Sequence, residues 1–417
     1  MLQAQARRRP AVLSRGGAGA PRRHRPDYML VLVSVLLLVV GLIVVYAISP
    51  GLSAQKNVSE NYFVTKQLTA VGLGVVAFAI VAAVPLTKWR QLQRPLLVAA
   101  IVATLISLVL PVSAEYPAHR WIRFGGLSLQ SVELVKLALV ICLSAFLEER
   151  IRRGEISHTK QTLKPLMIIL GVIGAVVAVA QRDLGSTGVI LAMMAAMTFV
   201  AGLPLKRILQ VGGVVVAGLL LLILPFAYRR DRITTFLNPE RDCQTAGYQA
   251  CQALIAVGSG GIFGKGLAHS GQAFGYLPEA ANDSIFAIIS EKFGFIGSTL
   301  LIVLFMVFFV RIKNIMERAP DDFSRLIVAG VLAWLSTQAV INIGAMVALL
   351  PLKGITLPFI SYGGTSVIFV MAAVGLVFNV SRYTSYGVHA GTAQRGDTGQ
   401  SIGISRYRNN EEKSREH

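Results

Sequence analysis

Apolar residues fall in long runs along this chain, without the alternation of a strand. The runs lie at about 29–49, 66–86, 95–112, 131–147, 164–180, 185–203, 208–228, 285–310, 325–350 and 364–381. A helix needs roughly 20 apolar residues to cross the hydrocarbon core of a bilayer. Lipid offers the backbone no hydrogen-bond partner, so a spanning segment is a helix or part of a closed barrel. Unalternating runs of this length are helices. The pattern predicts an all-α polytopic membrane protein with ten transmembrane helices.

Polar segments between the runs give the orientation. The first run is too long for a cleaved signal core and follows a 27-residue tail, "MLQAQARRRPAVLSRGGAGAPRRHRPD". That tail has little to pack and reads as disordered. Its arginines predict a cytoplasmic N-terminus. Ten spans return the C-terminus to the same side, and the basic loops "TKWRQLQR", "EERIRRGEISHTKQTLK", "PLKR" and "RIKNIMERAPDDFSR" then also fall inside. The expected division is a basic cytoplasmic tail over 1–27, a membrane domain over 28–382 and a cytoplasmic tail over 383–417. The outer loops are 50–65, 113–130, 181–184, 229–284 and 351–363, the largest lying between helices 7 and 8.

Composition agrees. The chain is 54% hydrophobic and 15% charged, with mean hydropathy +0.62, whereas a soluble domain averages about 25% charged. The net charge of +19 sits in tails and short loops rather than on one folded face, which argues against nucleic acid as a partner. The long outer loop breaks the charge bias with Arg229, Arg230, Arg232 and Arg241, and an anionic partner would account for them. Cys142 lies in an apolar run and reads as a packing residue. Cys243 and Cys251 share the long loop. A bridge in an oxidising compartment and two separate thiols are both open, since spacing alone does not set the Cα distance.

Several stretches carry candidate chemistry. "AVGSGGIFGKGLAHSG" at 256–271 has the look of a phosphate loop. The Walker pattern fails, because Ser259 stands where the first Gly is needed and Gly266 where Ser or Thr is needed. Backbone amides with Lys265 approaching a phosphate, or a plain glycine-rich loop, remain as readings. In "HRWIRFGGLSLQSVELVKLAL", Arg120 and Arg123 sit on the outer loop. Glu133 and Lys136 then share one face of the fourth helix, as functional charges or as an internal salt bridge. Asp183 in "AQRDLGSTG" suits a helix cap. "LLPLKGITLPFISYGGTS" combines prolines and glycines with Lys353, Ser361 and Tyr362. Irregular backbone at membrane depth is tolerated when buried in protein or lining a wet cavity, so this loop is an expected wall of a site. In "FGYLPEAANDSIFAIISEKFGF", Glu279 and Asp283 precede the eighth run. Asp283 could cap that helix, but Asn282 would cap equally well. Cations on the same side would hold phosphate, and a carboxylate among them would take a proton from an attacking hydroxyl. Glu291 reads as a buried partner for Lys or Arg.

Three stretches, "QRDLGSTG", "GYQACQALIAVGSGGIFGKGLAHSGQAFGYLPEAANDSIFAIISEKFGFIG" and "LPLKGITLPFISYGGTS", resemble the signature loops of the SEDS family (shape, elongation, division and sporulation). The resemblance covers about residues 30 to 382. It implies ten transmembrane helices and a peptidoglycan glycosyltransferase that acts on lipid II beside a class B penicillin-binding protein, a transpeptidase. The long basic N-terminal tail and "LPFISYGGTS" look more like division-type members than elongation-type ones. That likeness implies the bacterial inner membrane at the division septum, an extracytoplasmic active site and divisome regulatory proteins as partners. By motif, Asp283 takes the place of the family's catalytic acid, Arg120 that of the arginine in its "RWI" motif, and Lys136 that of the lysine in "SELAK". The chain departs from the family pattern at Ser131, Val132, Arg182 and Ser284.

The expected reaction is a single displacement. Asp283 deprotonates the acceptor's C4 hydroxyl, which attacks the donor's anomeric carbon and expels undecaprenyl diphosphate with inversion. Arg120, Arg123, Lys136, Glu133, Asp183, Lys265, Glu279, Lys353, Ser361 and Tyr362 are the candidate substrate-binding residues. No metal ligands are assigned, although a divalent cation, Mg or Mn, would suit the diphosphate. The rival readings are a lipid II flippase, an elongation-type polymerase, and a scaffold that only recruits the transpeptidase.

Overall fold

The computed structural model describes residues 25–111, 119–124, 127–223, 243–245, 247–267 and 269–383. Both tails outside those bounds, and Arg229, Arg230, Arg232 and Arg241, lie outside the described residues. Over its described residues, each apolar run is largely helical. The helices are α1 (Tyr28–Lys56), α2 (Tyr62–Ala83), the short α3 (Leu86–Gln91), α4 (Gln93–Val109), α5 (Ser131–Arg152), α6 (Lys164–Gly174), α7 (Leu184–Val200), α8 (Leu205–Ile223), α9 (Tyr248–Ser259), α10 (Ile285–Glu317), α11 (Asp322–Met346) and α12 (Gly364–Ser381). π-helical turns extend α6 at both ends, Thr159–Leu163 and Ala175–Ala180. Among the described residues, six helices are long and apolar enough to cross a membrane: α1, α2, the 159–180 unit, α10, α11 and α12. The apolar helices α4 and α7 are shorter.

Three features correct the sequence reading. The 113–130 loop holds two short strands, β1 (Trp121–Phe124) and β2 (Leu127–Gln130), paired antiparallel with Arg123 opposite Ser128. Among the described residues the fold is therefore helical with one two-stranded sheet, not purely α. In the sequence a Gly-Gly pair separates the strands, a dipeptide suited to a tight hairpin turn. The long outer loop contains helix α9. Finally, α10 is not one smooth helix, because Gly294 breaks it at φ 66°, ψ −163°.

That break explains the glycine-rich loop. Interrupting a helix frees backbone groups that lipid cannot satisfy. Here the loop supplies the partners: Lys265 N donates to Glu291 O at 2.9 Å and Gly266 N to Lys292 O at 2.9 Å. In return, Phe295 N donates to Gly261 O at 2.8 Å and Ile296 N to Ile262 O at 3.2 Å. The amides that looked available for phosphate at Lys265 and Gly266 are thus spent on α10. Gly264 (φ +82°) and Gly294 (φ +66°) make the approach possible. A Cβ on Gly264 would lie 2.2 Å from Lys292 O, and one on Gly294 2.4 Å from Gly264 N.

Packing sorts the helices into centre and rim. In α12, 83% of the apolar window is buried and in α11 61%, against 28% in α2 and α10. The central helices therefore hold the ends at which the polar residues gather. Caps set their starts: Asp183 accepts from Ser186 N at α7 and Asp321 from Ser324 N at α11. Cys243 and Cys251 form a disulfide, with Cα atoms 5.6 Å apart. It ties the chain before α9 to the helix itself. Cys142 is a free thiol whose Sγ donates to Gln93 O.

Two outcomes follow from these contacts. Denatured, unreduced protein should take up an alkylating reagent at Cys142 alone, and at all three cysteines after reduction. Mass spectrometry reads the difference, and two further free thiols without reductant would contradict the pairing. Gly264→Ala and Gly294→Ala should each destabilise the protein in detergent by more than about 1 kcal/mol, through strain at positive φ and the backbone clash. Gly258→Ala in α9, with open space at its Cβ position, should melt with the wild type.

Candidate active site

The site is built at the end of the bundle where α5, α7, α10 and α12 begin and α11 ends. Its innermost part is a buried charge pair. Glu133 and Lys136, three residues apart on the first turns of α5, are 3% and 1% exposed. Lys136 Nζ donates to Glu133 Oε1 at 2.7 Å and to Gln338 Oε1 at 3.1 Å, and it lies 4.8 Å from the Trp334 ring centre. Trp334 Nε1 donates to the same Gln338 oxygen at 2.8 Å. The Gln338 amide then donates to Thr356 O at 2.9 Å and to Thr356 Oγ1 at 3.1 Å. A buried ammonium is costly unless paired and hydrogen-bonded, and these partners satisfy it. The network joins α5 and α11 to the 351–363 loop, so the internal salt bridge weighed from sequence is present. Glu133 Oε2 has no hydrogen-bond partner. Glu133 lines a small polar cavity with Gln130, Lys136, Ser186, Gln338, Gly354 and Thr356, with room for about one water.

Next to this lies the turn into α7. Asp183 Oδ1 accepts from Ser186 N and Oδ2 from Ser186 Oγ, both at 2.9 Å, so Asp183 caps α7. Arg120, at the foot of β1, donates from Nε to Gln181 O at 2.8 Å and from Nη2 to Arg182 O at 2.5 Å. Its Nη1 stands 3.9 Å from Asp183 Oδ2. Arg182 adopts φ 55°, and the Arg120 fork holds the carbonyls of that bent turn. The Gln181 amide reaches Ser131 Oγ at 2.8 Å and Ser107 Oγ at 3.1 Å. Two of the departures from the family pattern, Ser131 and Arg182, are thus accommodated in one small network. Arg123 turns elsewhere, with Nη2 donating to Pro111 O at 2.9 Å.

Asp283 occupies the mouth of α10 and is half-buried. The N-cap position is Ser284, whose side chain makes no capping bond. Ser284 Oγ instead donates to Pro278 O at 3.0 Å and accepts from the Gln249 amide of α9 at 3.1 Å. Asn282 is not at the N-cap position; its amide donates to Glu279. The Asp283 carboxylate faces the Lys353–Gly354 segment: a Cβ on Gly354 would lie 3.7 Å from Asp283 Oδ2. Lys353 also meets the α7 end, because a Cβ on Gly185 would lie 3.2 Å from Lys353 Cβ. The 351–363 loop is laced to the residues around Asp283. Ser361 Oγ donates to Asn282 O at 2.6 Å, Tyr362 N to Ala281 O at 2.8 Å, and Asn342 Nδ2 to Asp283 O at 2.7 Å.

The structure therefore brings Arg120, Asp183, Glu133, Lys136, Lys353 and Asp283 to one place, with Ser361 and Tyr362 supporting the Asp283 backbone. Lys265 is drawn to Glu291, with Nζ 3.1 Å from Oε1. Glu291 is fully buried and also accepts from Ser270 Oγ at 2.5 Å, the buried partner role read from sequence. Glu279 is exposed on the approach to α10. Sequence reasoning passed over Gln338 and Asn342. The available signal was two amide side chains, four apart and so on one face of an otherwise apolar run. Gln249 carried no signal. Among the described residues no group of three or more His, Cys, Asp or Glu side chains is placed to hold a metal ion. Of the carboxylates here, Glu133 Oε1 is bonded to Lys136 and both oxygens of Asp183 to Ser186. The expected Mg or Mn therefore finds no donor set in these side chains, and no step below is routed through one.

The chain resembles known proteins along most of its length. The cell cycle protein family of FtsW, RodA and SpoVE matches residues 27–386. Stage V sporulation protein E of Bacillus subtilis is 37% identical over 88% of this chain and 99% of its own length. A probable peptidoglycan glycosyltransferase FtsW of Saccharophagus degradans is 36% identical over 86% of this chain and 93% of its own. The crystal structure of the rod shape determining protein RodA of Thermus thermophilus aligns with a TM-score of 0.64 at 27% identity, covering 86% of this chain and 98% of that one. A match over nearly the whole membrane domain, and relatives above 30% identity along most of their length, place this chain in the FtsW, RodA and SpoVE family of cell cycle proteins.

Proposed function

We propose that this protein is a peptidoglycan glycosyltransferase that polymerises lipid II into glycan strands, with Asp283 as general base. One observation carries the assignment of the base: a half-buried carboxylate at the mouth of α10 whose Oδ2 borders the Lys353–Gly354 segment. Asp183 caps α7. The name of the FtsW relative supports the reaction class.

The chemistry is one displacement. The C4 hydroxyl of the acceptor's N-acetylglucosamine gives its proton to Asp283. The oxygen bonds to the donor's anomeric carbon while the bond from that carbon to the undecaprenyl diphosphate breaks. The diphosphate leaves with the electron pair as an already ionised group, so no acid partner is needed, and the anomeric configuration inverts. Lys353 and Arg120 supply positive charge on the side where the diphosphate develops. Glu133 and Lys136 act one layer deeper, through Gln338 and Thr356, by fixing the loop that carries Lys353.

Ten spans with both termini in the cytoplasm fit the placement of charge. Arg90, Arg150, Arg152, Arg153, Arg325 and Arg382 stand at the end of the bundle opposite Asp283, in keeping with the bias of cytoplasmic loops. The disulfide stands at the Asp283 end, and disulfides persist outside the cytosol. The active site then faces the outer side of the bacterial inner membrane. The resemblance to division-type members extends the reading to septal wall synthesis with a class B transpeptidase and divisome regulators. A flippase would place its polar groups at the bilayer midplane, whereas here they gather toward one end.

Purified protein, alone and with a class B transpeptidase, should polymerise lipid II in detergent, and Asp283→Ala should lower the rate on the order of 1,000-fold or more, within the range lost with a catalytic base and its positioning. Wild type that moves lipid II across liposomes without making polymer would overturn the enzyme reading in favour of a flippase. Arg120→Ala should slow polymerisation strongly, and Arg120→Lys should recover little of it, because one ammonium cannot reproduce a fork bound to two carbonyls. Full activity of the Lys variant would show that charge alone suffices.

A further inference from the structure

The general base has to be held at a fixed distance from the loop that it faces, and one buried side chain spans that gap. Asn342 lies in the last turns of α11 and is 1% exposed. Both hydrogens of its amide are used on main-chain carbonyls of different segments. Nδ2 donates to Asp283 O at 2.7 Å and to Ile355 O at 2.7 Å. Ile355 directly follows Gly354, the residue that borders the Asp283 carboxylate. A single planar group therefore sets the spacing between the α10 mouth and the Lys353–Gly354 segment.

The rest of the side chain argues against a plain packing role. Its Oδ1 is buried with no hydrogen-bond partner. A buried unsatisfied carbonyl is destabilising, and an apolar side chain of similar size would suit a helix in lipid better. The neighbouring contacts hold the flanks of Asp283 instead. Ser361 grips residue 282, the Tyr362 amide grips residue 281, and Ser284 folds back to Pro278. Asn342 grips residue 283 itself. We infer that Asn342 is a positioning residue for the reaction, which clamps the Asp283 backbone against the Lys353–Gly354 segment without touching substrate. The inference rests on the glycosyltransferase reading for its kinetic consequence, though not for the clamp.

The test uses the full-length chain in detergent with lipid II, comparing wild type with Asn342→Leu, Asn342→Ser and Asp283→Ala. Leu keeps the volume and suits the bilayer but donates nothing, whereas Ser keeps one donor. The expected result is a kcat lower by about 10- to 100-fold in Asn342→Leu, the scale of a misplaced catalytic group, with KM for lipid II within about twofold and Ser in between. Asn342→Leu combined with Asp283→Ala should be no slower than Asp283→Ala alone, because the two act as one unit. Peptide-resolved hydrogen exchange should rise in Asn342→Leu over both 279–284 and 353–357. Wild-type kcat in the Leu variant, or in Ser should Leu fail to fold, would overturn the inference, as would unchanged exchange in both segments. Wild type that makes no polymer, or an active Asp283→Ala, would sink the glycosyltransferase reading, while the exchange data would still decide the clamp.

Discussion

Everything at the active end of this protein depends on one constraint: a charge buried among membrane helices must find its partners inside the protein. Lys136 meets it with Glu133, Gln338 and the Trp334 face. Removing one partner of such a pair typically costs about 3–5 kcal/mol, because the other charge is left stranded. The pair is thus a poor source of net stability and a strong source of specificity. It determines where α5 and α11 meet, and through Gln338 it anchors Thr356 and with it the irregular loop between α11 and α12. Since that loop carries Lys353 and borders Asp283, the buried pair reaches the chemistry without touching it.

The charged residues of the site separate by how fully the fold has used them. Asp183 spends its oxygens on Ser186, and Arg120 spends its fork on the carbonyls of 181 and 182. Lys265 and Glu291 hold the glycine-rich loop to α10. Asp283 stands at the mouth of α10, a helix N-terminus, where a carboxylate is most welcome. The surrounding contacts at 281, 282 and 283 hold its backbone, and its carboxylate borders the Lys353–Gly354 segment.

The break in α10 follows the same logic in the backbone. A kink at Gly294 exposes amides and carbonyls in a setting where water does not reach, and the loop over 260–266 is folded to receive them. The glycines there serve close approach between two main chains. What resembled a ligand-binding loop is a repair of the helix, and its lysine is the partner of a fully buried glutamate. The disulfide and Gln249 continue this bracing from α9 to Ser284, the residue next to Asp283.

How much of this was legible in the sequence follows the range of the forces involved. The helical, apolar character of the runs was readable because hydrophobicity over 20 residues is a local property, and the loop motifs singled out Asp283, Arg120 and Lys136 by resemblance. Glu133 with Lys136 was readable as a pair because a helix sets that spacing. The hairpin, the break at Gly294, the α9 helix and the disulfide were not, since each depends on partners far along the chain or on a spacing that admits two outcomes. Gln338 and Asn342 stood out only as two amides in an apolar run. Their bonds run to residues 136, 283, 355 and 356, and only the folded chain brings those together. The sequence by itself determined which segments enter the membrane and which side chains are charged near its surface. The tertiary structure decided which of those charges meet and which partners each one finds, because hydrogen bonds reach about 3 Å and know nothing of sequence distance.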